Sequence, residues 1–191
     1  MELTTARLQL DALRPDDAEV LFAYRADPAV ARFQGWRPAD VVAVRDFIDA
    51  QAAMVPGQAG GWFQRAIRLR DSGSLIGDLG VSLPGQVEAS VEFGVSIMPA
   101  HQGHGYASEA VRALFALVFD RLGRHRIHAS VDPRNVASLA MLRALGMRQE
   151  AHHRESLWLH GEWVDDVVFA MLAGEWHAPQ PANCPIGAPS R

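Results

Sequence analysis

Ile97-Met98-Pro99-Ala100-His101-Gln102-Gly103-His104-Gly105-Tyr106-Ala107-Ser108-Glu109-Ala110 leads from an alternating apolar stretch, through a loop with two glycines, into a segment of helical periodicity. Upstream, Val91, Phe93, Val95 and Ile97 share one face of a strand, and Glu92, Gly94, Ser96 and Met98 share the other. Downstream, Ala107, Ala110, Val111, Leu114, Phe115, Leu117, Val118 and Leu122 fit a 3.6-residue period, which predicts a helix from Tyr106 to Leu122. A helix N-terminus leaves backbone N–H groups unpaired and carries partial positive charge. Glycines before it remove side chains that would keep an anion away. The loop is therefore expected to hold a phosphate or pyrophosphate. It is not a nucleotide P-loop, because no Gly-Lys-Ser/Thr follows, and Gly103 and Gly105 do not complete a G-x-G-x-x-G fingerprint. On local physics alone, a plain strand-to-helix turn that needs glycine's backbone freedom is the alternative.

Working outward, Arg7 to Leu13 alternates as a strand, and Pro15-Asp16-Asp17 opens a helix with Ala18, Leu21 and Phe22 on its apolar side. Asp27-Pro28 is expected to break it. A second helix is predicted over Pro38 to Met54, ended by Pro56-Gly57. Strands at Trp62 to Leu69, Leu75 to Leu83 and Ala89 to Met98, joined by Asp71-Ser72-Gly73 and Pro84-Gly85, read as an antiparallel meander. After the loop and its helix come a strand at Ile127 to Val131, a helix at Asn135 to Leu145 closed by Gly146, and two strands around His160-Gly161. This order predicts an α/β domain with a mixed, mostly antiparallel sheet and helices on both faces. The domain is expected to span residues 1–175, with 178–191, rich in proline, as a disordered tail.

The formal net charge of −4 disfavours a general nucleic-acid binder and is compatible with a cationic amine partner. The single cysteine, Cys184, sits in the proline-rich tail, so neither an internal disulfide nor a catalytic thiol is expected. No signal peptide and no membrane span is read, so no membrane partner and a cytoplasmic location are the expectation. The eight histidines show no zinc-like spacing, and no metal is expected.

Gln102-Gly103-His104-Gly105-Tyr106-Ala107 resembles the Gln/Arg-x-x-Gly-x-Gly/Ala loop of the GNAT superfamily of N-acetyltransferases. Asn135-Val136-Ala137-Ser138 and Leu145-Gly146-Met147 resemble that family's Asn-x-x-Ser/Ala helix and Leu-Gly-Phe closure, in register. The stretch from Gly103 to Ala110 and the opening Thr5-Ala6-Arg7-Leu8-Gln9-Leu10 are similar to the ribosomal-protein N-terminal acetyltransferase branch. The resemblance implies a GNAT-like fold and acetyl-coenzyme A as co-substrate. It implies that Ile97, Gln102, Gly103, His104, Gly105, Tyr106, Ala107, Asn135 and Ser138 meet the coenzyme. It also implies direct attack by an amine in a ternary complex, without an acyl-enzyme.

Such a transfer needs a neutral amine, a polarised thioester carbonyl and a stabilised thiolate. Glu92 is the candidate base, because its strand leads into the loop and its face carries only Gly94 and Ser96 nearby; a solvent-facing or arginine-paired glutamate is the alternative. Asn135 suits a helix N-cap as well as a coenzyme contact. The family's frequent Tyr on this helix is Leu142 here, which leaves Ser138 as candidate acid or as packing. Phe33, Trp36, Trp158 and Trp163 are candidates for the acceptor side. The acceptor is a protein N-terminus or a small amine such as an amino sugar, polyamine or amino acid. A homodimer is compatible with this reading. The rival reading is a non-catalytic acyl-coenzyme A sensor on the same fold.

Overall fold

In the computed structural model, which describes residues 1–54, 61–86 and 90–178, the alternating segments pair as strands. They are β1 (Leu3–Thr4), β2 (Leu8–Ala12), β3 (Trp62–Leu69), β4 (Leu75–Ser82), β5 (Val91–Ile97), β6 (Arg126–Val131), β7 (Arg148–Leu159) and β8 (Glu162–Leu172). The helices are α1 (Ala18–Arg25), α2 (Pro28–Ala31), α3 (Val41–Ala52), α4 (Tyr106–Phe115), α5 (Val136–Ala144) and α6 (Ala173–His177). The strands form one sheet in the order β1-β2-β3-β4-β5-β6-β8-β7. Every neighbouring pair is antiparallel except β5 and β6, which are parallel and joined through α4. This is the mixed sheet that the order of elements predicted. The proposed end of α3 at Pro56-Gly57, the tail beyond Ala178 and Cys184 lie outside the described residues.

The sheet separates two apolar layers. On one face, Val91, Phe93 and Ile97 of β5 pack with Ala110, Val111, Leu114 and Phe115 of α4 and with Leu142 of α5. On the other, Leu21 and Tyr24 of α1, Val30 of α2, and Val44 and Ile48 of α3 pack over Ala66 and Leu75. Period-2 strands and period-3.6 helices of these sequences can bury their apolar sides only in such a sandwich.

Four local features differ from the expectations. Asp27-Pro28 ends one helix but also starts another: the Asp27 carboxylate accepts from Ala29 N at 2.8 Å, and Pro28 takes the first helical position of α2. The long helix after the loop is α-helical only to Phe115 and continues as a π-helix over Ala116–Arg121. Leu117, Val118 and Phe119 stay buried, so the apolar stripe alone did not reveal the change of winding. The short β1 pairs with β2. The short α6 is fastened where Trp176 Nε1 donates to Asp120 at 2.9 Å.

A buried ion cluster ties β2 and the turn after it to β3. Arg68, only 4% exposed, donates to Asp11 at 2.8 Å and to both oxygens of Asp17, at 2.8 and 2.6 Å. Removing one member of such a cluster strands the others away from water. Arg68→Ala is expected to cost about 3–5 kcal/mol of unfolding free energy, measured by urea denaturation. A loss below ~1 kcal/mol would mean that water replaces the guanidinium.

Candidate active site

The site arises where the sheet parts. β5 pairs with β4 from Glu92 opposite Ser82 to Ile97 opposite Gly77. It meets β6 only at Val91–Ile127 and Glu92–His128. Beyond that point β6 follows β8, out to Val131 opposite Val167. The backbone of β5 from Phe93 onward therefore has no strand on one side, and its polar groups there are open to another partner. A cavity of about 450 Å³ lies at this parting, lined by the end of β5, the loop before α4, the first turns of α4 and α5, and the segment after α2. A smaller one of about 120 Å³ adjoins it between β5 and β6. Phe33, Gln34, Val95, Asn135, Ser138 and Met141 line both.

The loop has the expected local geometry. Gly103 and Gly105 have φ of 77° and 79°, the left-handed region that favours glycine. A Cβ at Gly103 would meet nothing, and one at Gly105 only Arg7 Nη2, at 3.6 Å. Backbone conformation, not crowding within the chain, demands glycine, and the space in front of the loop is open. The first backbone bond of α4 runs from Glu109 N to Gly105 O at 3.0 Å. Tyr106, Ala107 and Ser108 therefore precede it with N–H groups that have no intrahelical partner. This cradle suits an anion such as a pyrophosphate. Gln102 turns its amide back, Nε2 donating to the Ile97 carbonyl at 2.9 Å, and so closes the loop on the end of β5. His104 does not line the cavity; its Nδ1 lies 2.8 Å from Gln102 O and its ring stacks on Tyr106.

Thr5 and Arg7 brace this loop from the other end of the chain. Glu109 accepts from Thr5 Oγ1 at 2.6 Å, Arg7 N at 2.9 Å and Arg7 Nε at 2.6 Å. Arg7 Nη1 also donates to the His104 carbonyl at 3.0 Å, and its guanidinium lies 4.6 Å from the Tyr106 ring centroid. Partial burial pushes the Glu109 carboxyl up, but the bonds from Thr5 and Arg7 outweigh it and hold the carboxyl below its usual range. Nothing local in the sequence pairs residues so far apart; only the run from Thr5 to Leu10 flags the segment.

On α5, Asn135 is the N-cap, its Oδ1 accepting from Ser138 N at 3.1 Å, and both residues line the cavities. Leu142 is 1% exposed and packs. Of the other expected residues, Ile97, Gln102, Gly103, Gly105, Tyr106 and Ala107 line the larger cavity. Glu92 lines neither; its Oε2 lies 3.8 Å from His128 Nε2, with the side chain about a third exposed. It shares its sheet face with Gly94 and Ser96. Phe33 borders both cavities, whereas Trp36 stacks on Phe47 and Trp158 meets Trp163 edge-on at an exposed hairpin. Asp132, in the smaller cavity, is bonded through both oxygens to Arg134. Among the described residues no three of His, Cys, Asp and Glu converge as metal ligands. No helix among them is long and apolar enough to cross a membrane.

Residues 7–148 match the acetyltransferase (GNAT) domain. The chain is 32% identical over 176 residues to the N-acetyltransferase p20 of Bacillus licheniformis, covering 91% of this chain and 97% of that one. Its fold matches a GNAT-family acetyltransferase from Bacillus anthracis with a TM-score of 0.79 at 24% identity, covering 91% and 99% of the two chains. It matches RimJ of Mycobacterium smegmatis, solved in complex with a coenzyme A disulfide, with a TM-score of 0.78 at 23% identity, covering 90% and 84%.

The brace has a pH signature. Because the folded-state pKa of Glu109 is depressed, its stabilisation is present above the unfolded carboxylate pKa and is lost as pH falls through the folded one. Glu109→Gln is expected to melt below wild type at neutral pH, and the gap should close as the pH is lowered into the acid range. Melting curves at several pH values check this; a gap independent of pH would show that ionisation of Glu109 does not matter to the brace.

Proposed function

The chain belongs to the GNAT acetyltransferase family, and we propose that it moves an acetyl group from acetyl-coenzyme A to a primary amine by direct attack in a ternary complex. The observation that carries this reading is the parting of β5 and β6 beside a loop whose glycines and helix N-terminus are open to an anion. The acceptor is a protein N-terminus or a small-molecule amine.

Each part of the site has a task in that reaction. The backbone N–H groups from Gly103 to Ser108 take the pyrophosphate of the co-substrate. The unpaired side of β5, from Phe93 to Ile97, offers backbone groups to the extended arm and its thioester, as a neighbouring strand would. Asn135 and Ser138 border the same space from α5. The amine nitrogen forms a bond to the acetyl carbon, the carbon–sulfur bond breaks, and the amine gives up a proton. Glu92, on the sheet face that carries Gly94 and Ser96, takes that proton through water, since it does not itself line the cavity. Ser138 donates to the charge developing on the departing sulfur.

Three experiments test this. Acetyl-coenzyme A should be turned over with members of an amine library, with acetylated products found by mass spectrometry. Gly105→Glu, which puts a negative charge at the cradle and a side chain on a left-handed backbone, should weaken acetyl-coenzyme A binding by roughly tenfold or more in calorimetry. Unchanged affinity would remove the loop from coenzyme binding. Separately, Glu92→Gln should lower turnover at saturating substrate by roughly 10²-fold, with the deficit shrinking at high pH as more amine is neutral. A pH–rate profile matching wild type would take Glu92 out of the mechanism.

A further inference from the structure

One chain of polar groups reaches the acetyl-transfer cavities from behind the sheet. Asp78 on β4 is fully buried and accepts from Tyr24 and Arg25 of α1 and from Gln64 of β3. Arg25 is 5% exposed, and with Asp78 against it the guanidinium is held charged. Its other terminal nitrogen, Nη1, donates to Gln34 Oε1 at 2.8 Å. A guanidinium has no acceptor. The Gln34 amide therefore has one orientation: oxygen to Arg25, and the Nε2 amino group away from it. Gln34 lies just beyond α2 and lines both cavities where they join.

An unpaired hydroxyl lies behind the same wall. Ser96 is 6% exposed and borders the larger cavity, but its Oγ is itself buried, without a hydrogen-bond partner among the described residues, so Gln34 is the amide that the cavity can reach. Ser96 stands directly opposite Asp78 in the β4–β5 register, so its side chain is on the face that carries Asp78, Arg25 and Gln34. By contrast, among the described residues no Asp or Glu lines the larger cavity, and the one that lines the smaller, Asp132, has both oxygens bonded by Arg134. The described wall offers a hydrogen-bond donor and no unpaired anion.

We propose that Gln34, oriented by Arg25 and Asp78, is the acceptor-positioning residue, and that it selects amines carrying a carbonyl or hydroxyl oxygen beside the reacting nitrogen. This rests on the acetyl-transfer reading above. A bond from a buried cation to the amide oxygen polarises the amide and strengthens its N–H groups as donors. Such a donor needs an acceptor oxygen, and an amine lacking one leaves it unpaired, which is how a polar site discriminates. A polyamine or alkylamine brings only further donors, and a second ammonium finds no unpaired carboxylate on the described walls. An α-amino amide, a peptide N-terminus or an amino alcohol fits.

The test uses the full chain, acetyl-coenzyme A and an amine panel built in pairs, such as alaninamide with isopropylamine and serinol with isopropylamine, plus spermidine. The oxygen-bearing members should be acetylated in preference to their partners and to spermidine. Gln34→Glu keeps an oxygen for Arg25 and loses the donor. It should lower kcat/KM for the oxygen-bearing acceptors relative to the bare amine by roughly tenfold, the scale of one lost donor. Taking each variant as a ratio to wild type on the same acceptor cancels differences in amine basicity. The KM for acetyl-coenzyme A should not move, and a melting curve should show the variant folded. Gln34→Met, which removes both polar atoms at similar length, should show the same bias. Equal losses on both members of a pair, or a wild type that prefers spermidine or isopropylamine, overturns the proposal. Acetylation of no amine by wild type, with acetyl-coenzyme A still bound in calorimetry, overturns the acetyl-transfer reading itself and the proposal with it.

Discussion

Two parallel strands that pair for two residues and then part are the constraint around which this protein is arranged. β5 cannot follow both neighbours: it keeps β4 on one side to its end, while β6 turns to β8. A strand so exposed carries unpaired N–H and C=O groups, which natural sheets ordinarily cover. Here the cover is a cavity, and the elements around it come from well-separated parts of the chain: the segment after α2, the loop into α4, and the first turn of α5. The crossover that makes β5 and β6 parallel also delivers the N-terminus of α4 to the end of the opened strand. The placement of the glycine loop and the open backbone edge are consequences of one topological choice.

An opening in a sheet weakens the layer around it, and this chain braces both sides with charge. On one side Glu109 is gripped by Thr5 and Arg7, which also holds the His104 carbonyl, so the first strand region steadies the glycine loop. On the other, Asp78 and Arg25 form a buried pair beneath the segment after α2, and Arg68 gathers Asp11 and Asp17. Buried ion pairs contribute little net stability compared with apolar packing, but they restrict geometry, because few arrangements keep the buried charges paired. The bracing residues sit where geometry matters for chemistry: behind the loop, and behind Gln34 on the cavity wall.

The helical end of the loop shows how far local sequence reaches. Gly103, Gly105 and the apolar period from Ala107 identify the strand–loop–helix unit, and the left-handed backbone at both glycines follows from their chemistry. The strand boundaries at Trp62, Leu69 and Leu75 were legible for the same reason, since alternation and turn residues act over a few bonds. Helix α2 was legible in principle: Asp before Pro is an N-cap followed by a first-turn residue as well as a helix stop. The π winding of Ala116–Arg121 was not, because an apolar stripe three or four residues apart satisfies both windings. The candidate site was legible in its loop and in Asn135 and Ser138, which line the cavity, and less so in Glu92, which does not.

The sequence by itself determined most of the elements, the sheet class, the glycine loop and the family resemblance, because each depends on side chains within one or two turns of one another. Tertiary structure alone decided where β5 loses its partner and which distant side chains meet there. It paired Arg7 with Glu109 and Arg25 with both Asp78 and Gln34, contacts across 102, 53 and 9 residues of chain. It also fixed the Gln34 amino group away from Arg25 by giving its oxygen to a donor that cannot accept. Such pairings leave no periodic trace. They are fixed by burial, which makes every unpaired polar group costly and so selects the one packing in which distant charges find each other.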